Sequence, residues 1–194
     1  MFIAVVPAYN EEKTIGSVIQ SLLTFVDEVI VVDDASGDNT GNLAREAGAL
    51  VLRHKINRGQ GAALETGHEY ARMLNADYVL HFDADNQFEA GDIVPALDFL
   101  IKNKADILFG SRFLDNRTKI PFFKKYLLFP AAKIFNWLWG VKLTDIHNGF
   151  RILNNKALHS IKITQDKMAH ATEIPTQAQK LGLCMVEFPV KVIY

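Results

Sequence analysis

Two carboxylates and an amide, Asp83, Asp85 and Gln87, alternate where the apolar run Tyr78–Phe82 gives way to Asp83-Ala84-Asp85-Asn86-Gln87. Hard divalent cations take oxygen ligands, and magnesium commonly binds through one or two carboxylates together with substrate phosphates. Asp85 and Gln87 can therefore supply ligands to Mg2+ or Mn2+ while a diphosphate supplies the rest. The plain alternative is a polar turn closing a strand, because Asp-x-Asp alone is a common pattern. A second acidic pair, Asp33-Asp34, ends the run Val29-Ile30-Val31-Val32. A carboxylate there can accept hydrogen bonds from a base N–H or a ribose hydroxyl, or it can cap a helix and shape the turn through Asp38. Pro7-Ala8-Tyr9-Asn10-Glu11-Glu12 follows the first apolar run. Tyr9 can stack on a nucleobase and Glu11 can contact a sugar or base; alternatively the acids only favour a helix N-terminus. In Asn57-Arg58-Gly59-Gln60-Gly61 the glycines permit close backbone approach and Arg58 can neutralise phosphate, although such a loop alone reads as a turn.

These clusters need a scaffold that carries strand ends to one place. Short apolar runs at Phe2–Val6, Glu28–Val32, Leu50–Arg53, Tyr78–Phe82 and Asp106–Phe109 read as strands. Helical spacing fills the gaps at Glu11–Phe25, Asn39–Ala47, Gln60–Leu74 and Ile93–Lys102. Alternating strands and helices predict an α/β fold of parallel βαβ units with right-handed crossovers. Ligands bind at the carboxyl ends of strands in such sheets. That rule selects PAYNEE, DDASGD, DADNQ and Gly110-Ser111-Arg112-Phe113. Further on, Arg117–Lys142 mixes Lys and Arg with Phe, Tyr and Trp and has no acidic residue. Thr144-Asp145-Ile146-His147-Asn148-Gly149-Phe150-Arg151 follows, then a helix near Ala171–Leu181 and a final strand over Met185–Tyr194.

The 194 residues suit one domain, and with 49% hydrophobic residues there is ample material for a core. A net charge of −1 gives no reason to expect a nucleic-acid partner. Cys184 is the only cysteine, which excludes an intrachain disulfide or a cysteine metal cluster and fits a reducing, cytoplasmic setting. No apolar run approaches the roughly 20 residues of a membrane-spanning helix. Phe2–Val6 is too short for a signal sequence.

In order and spacing, PAYNEE, VVDDASGDNT, NRGQGAA, DADNQF and GSRF resemble the family-2 glycosyltransferases of the GT-A fold, from Phe2 to about Arg112. The glutamine of DADNQ, the GSRF, the NGFR of TDIHNGFRIL and the closing VEFPVKVIY are similar to the dolichol-phosphate mannose synthase branch. The resemblance implies a single glycosyltransferase domain over 1–194, with 1–112 binding nucleotide sugar and 113–194 forming the acceptor side. It implies a GT-A-like, mostly parallel sheet flanked by helices. By position, Pro7, Tyr9, Glu11, Val32 and Asp34 would cradle the nucleoside, and Asp83, Ala84 and Asp85 would line the ribose and sugar side. Asp85 and Gln87 would hold Mg2+ or Mn2+ against the diphosphate, and Arg112 would meet a donor or acceptor phosphate. Among the departures that leave the acceptor open, where the branch reads Ser-Gly-Phe-Arg this chain has Asn148-Gly149-Phe150-Arg151 after His147.

The activity so implied is inverting transfer of a hexose from a nucleoside-diphosphate sugar to a polyprenyl phosphate. An alcohol acceptor would need a general base, for which Asp145 is the candidate, with a turn-forming role as the alternative. A lipid phosphate is already anionic and needs cations to orient it, a task that suits Arg112 and Arg151. Other readings are transfer to a polysaccharide or glycolipid hydroxyl and a non-catalytic nucleotide-sugar-binding module. A sugar-1-phosphate nucleotidyltransferase would want a basic, glycine-rich loop where PAYNEE is acidic. His147 can help bind phosphate or hydrogen-bond within its turn; His170 and Glu173 fall near the acceptor side and stay outside the catalytic set. Arg117–Lys142 has the composition of an interfacial amphipathic segment, which would place the protein peripherally at a membrane surface, or of a helix packed on the domain.

Overall fold

The computed structural model describes residues 1–115, 117–118, 140 and 143–193. Seven strands form one sheet in the order β3-β2-β1-β4-β6-β5-β7. They are β1 (Phe2–Ala8), β2 (Glu28–Asp33), β3 (Leu50–Arg53), β4 (Tyr78–His81), β5 (Ile107–Ser111), β6 (Arg151–Asn154) and β7 (Met185–Pro189). All pairings are parallel except the two made by β6, which runs antiparallel to both β4 and β5. The described helices are α1 (Ile15–Leu22), α2 (Thr40–Glu46), α3 (Gln60–Met73), α4 (Ile93–Lys102), α5 (Asn155–Ser160) and α6 (His170–Lys180), with a 3-10 turn at Ala90–Asp92.

Strand alternation divides the core in two. Phe2, Ala4, Val6 and Ala8 of β1 face a cluster containing Ile15, Val18, Ile19 and Leu22 of α1 and Ile93, Ala96 and Leu100 of α4. Ile3 and Val5 point the other way, into a cluster with Ala63 and Leu64 of α3, Leu158 of α5 and Ile174 of α6. Successive strand side chains point to opposite faces, so near-continuous apolar strands are what a sheet covered on both sides requires.

Two expected elements have different bounds, and two further elements were not expected. Helix α1 starts at Ile15, not Glu11, because the amides of the preceding loop are committed elsewhere: Asn10 N donates to Ser36 Oγ and Glu11 N to Thr40 Oγ1. The last strand ends at Pro189; Val192 makes only an isolated antiparallel bridge to Phe88, and Tyr194 lies outside the described residues. Strand β6 and helix α5 had no counterpart in the periodicity. Because β6 is antiparallel, it begins at the sheet edge where its parallel neighbours end. The Asn148–Arg151 motif therefore reaches the same edge as PAYNEE, DDASGD and DADNQ.

Candidate active site

A cavity of about 360 Å3 opens at that edge, lined by Pro7, Tyr9, Glu11, Asp34, Gln60, Asp83, Ala84 and Asp85, among others. The three acidic loops expected to converge do converge. The PAYNEE and DDASGD loops are fastened to each other by the bonds from Asn10 and Glu11 and by Gly37 N donating to Asn10 Oδ1 at 2.9 Å. With the backbone so held, the side chains of Tyr9 and Glu11 are left to line the cavity, and Tyr9 is 50% exposed.

The adjacent acids Asp33 and Asp34 stand in different places, one inside a turn and one at the cavity. Asp33 is fully buried; its Oδ1 accepts from Ser36 N at 2.8 Å, a turn-forming bond. Asp34 lines the cavity, but its carboxylate is already engaged. Oδ1 accepts from Arg58 N (2.9 Å) and meets His54 Nδ1 (2.7 Å), while Oδ2 accepts from Gly59 N (2.6 Å). His54 Nε2 in turn lies 2.9 Å from Thr66 Oγ1. Asp34 thus organises the Asn57–Gln60 loop as well as facing the cavity. Gly59, at φ 103°, adopts a conformation that side chains rarely take and opens α3.

Asp83 is half-buried at the cavity floor. Its Oδ1 accepts from Gln60 Nε2 at 2.9 Å, and its carboxylate rests against the backbone of Gly149, where an added Cβ would lie 2.2 Å from Oδ2. Burial foremost, then the charge of Asp85, raises the Asp83 pKa to about 6, against the opposing influence of Arg151, Gln60 and Arg112. Asp85 is exposed in a tight turn with Asn86 at φ 60°, and among the described residues its Oδ1 accepts only from the local Gln87 N, at 3.1 Å. Gln87 is exposed beside it and does not line the cavity. Among the described residues no group of three or more His, Cys, Asp or Glu side chains gathers to enclose a metal. The donor set, a lightly engaged carboxylate beside a second acid and an amide, suits a hard cation that completes its shell with phosphate oxygens.

Other expected residues stand elsewhere. Val32 is fully buried in the core, between Pro7 and Leu52 on the neighbouring strands, and is not among the residues that line the cavity. Arg112 is outside the cavity lining; its N and Nε donate to Asp145 Oδ2 at 3.1 and 2.6 Å. Asp145 is 4% exposed and also accepts from Asn148 Nδ2, so its observed role is to tie together the turn that the sequence could also read as a base site. Glu187 of β7 holds the same turn by accepting from Thr144 N and Oγ1.

Arg151 is the clearest relocation. It is 1% exposed, its Nη2 donates to the carbonyls of Ile146 and Ala171, and its guanidinium lies 5.7 Å from the Phe109 ring centroid. Burial lowers its pKa to about 10, while the charges of Asp83 and Asp145 hold it up. In this arrangement it is a buried counter-charge to Asp83 and Asp145 and is not among the residues that line the cavity. Beside it on β4 is His81, whose Nε2 is 2.6 Å from that of His68. Both are buried, and burial keeps both neutral, with the His68 pKa lowered to about 3. The one sequence signal for this pair is a histidine near the end of an apolar strand. His147 is exposed; His170 is buried and bonded to Lys167 O through Nδ1.

Most of Arg117–Lys142, the expected interfacial segment, lies outside the described residues. Its first residue binds the domain: Arg117 pairs with Asp92 and Asp115 at 2.6 Å each and donates to Pro189 O. Among the described residues no helix is long and apolar enough to cross a membrane.

Comparison with known proteins follows the same outline. Residues 3–162 match the family model described as Glycosyl transferase family 2. An uncharacterised protein of Methanocaldococcus jannaschii is 34% identical over 98% of this chain and 80% of its own. The UDP-N-acetylglucosamine–dolichyl-phosphate N-acetylglucosaminyltransferase of Methanococcus voltae is 30% identical over 98% of this chain and 84% of its own. Among solved structures, the glucosyl-3-phosphoglycerate synthase of Mycobacterium tuberculosis in complex with Mn2+ and UDP-glucose superposes with a TM-score of 0.74. That match is 23% identical and covers 99% of this chain and 70% of the synthase, a likeness that shows the GT-A fold.

Proposed function

The chain belongs to glycosyl transferase family 2, and from that premise we propose that it transfers a hexose, with inversion, from a nucleoside-diphosphate sugar to a polyprenyl phosphate. The observation that carries the donor half is the single cavity on which Tyr9, Glu11, Asp34, Asp83 and Asp85 meet. An aromatic ring and acids suit a base and ribose, and the acids at the far end call for a cation between them and a diphosphate. The acceptor half is supported by the Methanococcus voltae relative, whose name specifies a dolichyl-phosphate acceptor.

Asp85, with Gln87 beside it, would hold Mg2+ or Mn2+, and the cation would neutralise charge on the departing nucleoside diphosphate. Inversion follows from one displacement: an acceptor oxygen bonds to the anomeric carbon on the face opposite the breaking bond to the diphosphate. Pro7, Tyr9 and Ala84 form walls of the donor site, and Asp83 faces the sugar side. Gln60 fixes one oxygen of Asp83, leaving the other to meet a sugar hydroxyl. Arg112, turned by its bond to Asp145, is the candidate for a phosphate contact. A phosphate nucleophile carries its own charge, so no base is required. Residues 113–194 form the acceptor side, at the surface of the membrane that holds the lipid.

One observation favours a second reading. If the acceptor is a hydroxyl of a polysaccharide or glycolipid, the base is Asp83 and not Asp145, since Asp83 lines the cavity and its raised pKa approaches the range of working general bases. A thermal-shift screen of UDP- and GDP-sugars with and without Mn2+ tests the donor half, because a ligand of the folded state must raise its stability. Stabilisation by one nucleotide sugar, enhanced by Mn2+, is expected; no stabilisation by any would contradict it. Asp83→Asn separates the acceptor readings: a partial loss, from the weakened contact to the sugar of a side chain that keeps its place, fits the phosphate, and near-complete loss with donor binding intact fits the hydroxyl.

A further inference from the structure

The Asn57–Gln60 loop touches two of the acids that line the cavity: Arg58 N and Gly59 N bind Asp34, and Gln60 Nε2 binds Asp83. What holds this loop comes from the other half of the chain. Residues 161–168, an irregular strap between α5 and α6, lie across the start of α3. Ala62 N donates to Asp166 O at 3.0 Å, and Arg58 Nη2 lies 3.3 Å from Asp166 Oδ1. The approach is close enough to need glycine twice. A Cβ on Gly61 would stand 1.9 Å from Gln165 O, and one on Gly59 would stand 2.6 Å from Asp166 O.

The strap has its own anchor. Glu173, in the first turn of α6, accepts from Thr164 N at 3.1 Å, from Thr164 Oγ1 at 2.5 Å and from Gln165 N at 3.0 Å. Gln177 adds a bond from its Nε2 to Glu173 Oε1 at 3.1 Å and brackets Lys162 through that residue's N and O. The start of the strap is pinned by the buried Ile161 and Ile163, by Arg72 Nη2 donating to Ile161 O and by Ile163 N donating to Glu65 Oε2, whereas the exposed stretch from Thr164 that meets α3 has no regular ladder bonds to keep its shape. A carboxylate that collects adjacent backbone amides supplies that shape, since charge-assisted bonds are the stronger kind.

Resting on the donor-binding reading of the cavity, we propose that Glu173 is a positioning residue for the donor: it fixes the strap, and the strap holds the Asn57–Gln60 loop where it can orient Asp34 and Asp83. Glu173 touches neither acid itself. Its removal should act through the loop and leave the cavity's own side chains in place chemically.

The test compares wild type, Glu173→Ala and Glu173→Gln with Asp106→Ala as a structural control. Asp106 accepts bonds from Cys184 N, Lys156 Nζ and Asn154 Nδ2 at the opposite edge of the sheet. Two quantities are read well below each variant's melting temperature: amide hydrogen exchange at Gly59 and Ala62, and affinity for whichever of UDP and GDP the wild type binds with Mn2+. Glu173→Ala should speed exchange at both amides and weaken the nucleotide about tenfold. Glu173→Gln, whose amide nitrogen cannot accept from Gln165 N, should fall between. Asp106→Ala should lower the melting temperature and change neither quantity. Gly61→Ala should reproduce the Glu173→Ala phenotype from the other side, and the double variant should be less than additive, as for sites sharing one path. Unchanged exchange in Glu173→Ala would overturn the proposal, as would faster exchange with unaltered nucleotide affinity. The exchange measurement needs no ligand, so it decides the strap even if no nucleotide binds, a result that would count against the proposed function instead.

Discussion

Gly149→Ala places one methyl group against the floor of the cavity. The added Cβ would lie 2.2 Å from Asp83 Oδ2 and 2.8 Å from its Cγ. A carbon and an oxygen in ordinary contact need about 3.4 Å, so the carboxylate must retreat by roughly 1 Å. It cannot do so without stretching the 2.9 Å bond from Gln60 Nε2. Gly149 has no left-handed backbone angle, so alanine costs nothing in conformation and the effect is one of contact alone. Overpacking of this kind costs about 1–3 kcal/mol of stability. A 1 Å misplacement at a reacting centre costs about a hundredfold in rate. The assay is kcat/KM for sugar transfer at a temperature where circular dichroism shows the variant folded, beside its melting temperature. Activity within about threefold of wild type would refute the claim that Asp83 must sit against Gly149.

Arg151→Ala removes a buried cation from between Asp83 and Asp145 and should cost about 3–5 kcal/mol, with Arg151→Lys restoring little. Denaturant unfolding checks this, and a stable variant with only an acceptor KM defect would show that Arg151 touches the acceptor after all. Asp85→Ala should leave the melting temperature nearly unchanged, because the side chain is exposed and makes one local bond, while Mn2+ no longer adds to nucleotide stabilisation; unaltered Mn2+ titration would exclude it as a ligand. The Asp83 pKa is raised from 3.8 to about 6, so between these values the folded chain binds more protons than the unfolded one. Ligand-free stability from this group therefore falls as pH rises through that window. Asp83→Asn should accordingly raise the melting temperature at pH 7 relative to pH 4 when each is compared with wild type; an equal effect at both would contradict the shift.

The parallel part of the fold was legible because each strand is a short apolar run followed directly by a polar loop, and strand ends in such sheets gather ligands. That reasoning brought Tyr9, Asp34 and Asp85 to one cavity without any knowledge of their contacts. It failed where the partner is distant in sequence. Nothing in Arg151–Asn154 indicates an antiparallel strand inserted between β4 and β5, and that insertion is what buries Arg151. An arginine two residues after a glycine reads as a phosphate ligand when Asp83, Asp145, Ile146 and Ala171 around it are unseen. Val32 was misplaced for a simpler reason: it adjoins Asp33 and Asp34, but strand alternation turns its side chain into the core. Asp145, Glu187 and Glu173 each spend their oxygens on backbone or side-chain donors up to 43 residues away, which residue type alone does not reveal.

Product analysis is the most direct measurement of the proposed activity. The purified chain, Mn2+ and the nucleotide sugar that stabilises it are incubated with a polyprenyl phosphate or with the corresponding polyprenol, and the lipid product is identified by mass spectrometry and its anomeric configuration by NMR. A hexosyl phospholipid of inverted configuration, formed only from the phosphate and lost in Asp85→Ala, is the expected result. Transfer to the polyprenol or to another hydroxyl but not to the phosphate, or a product that retains the donor's configuration, would contradict it.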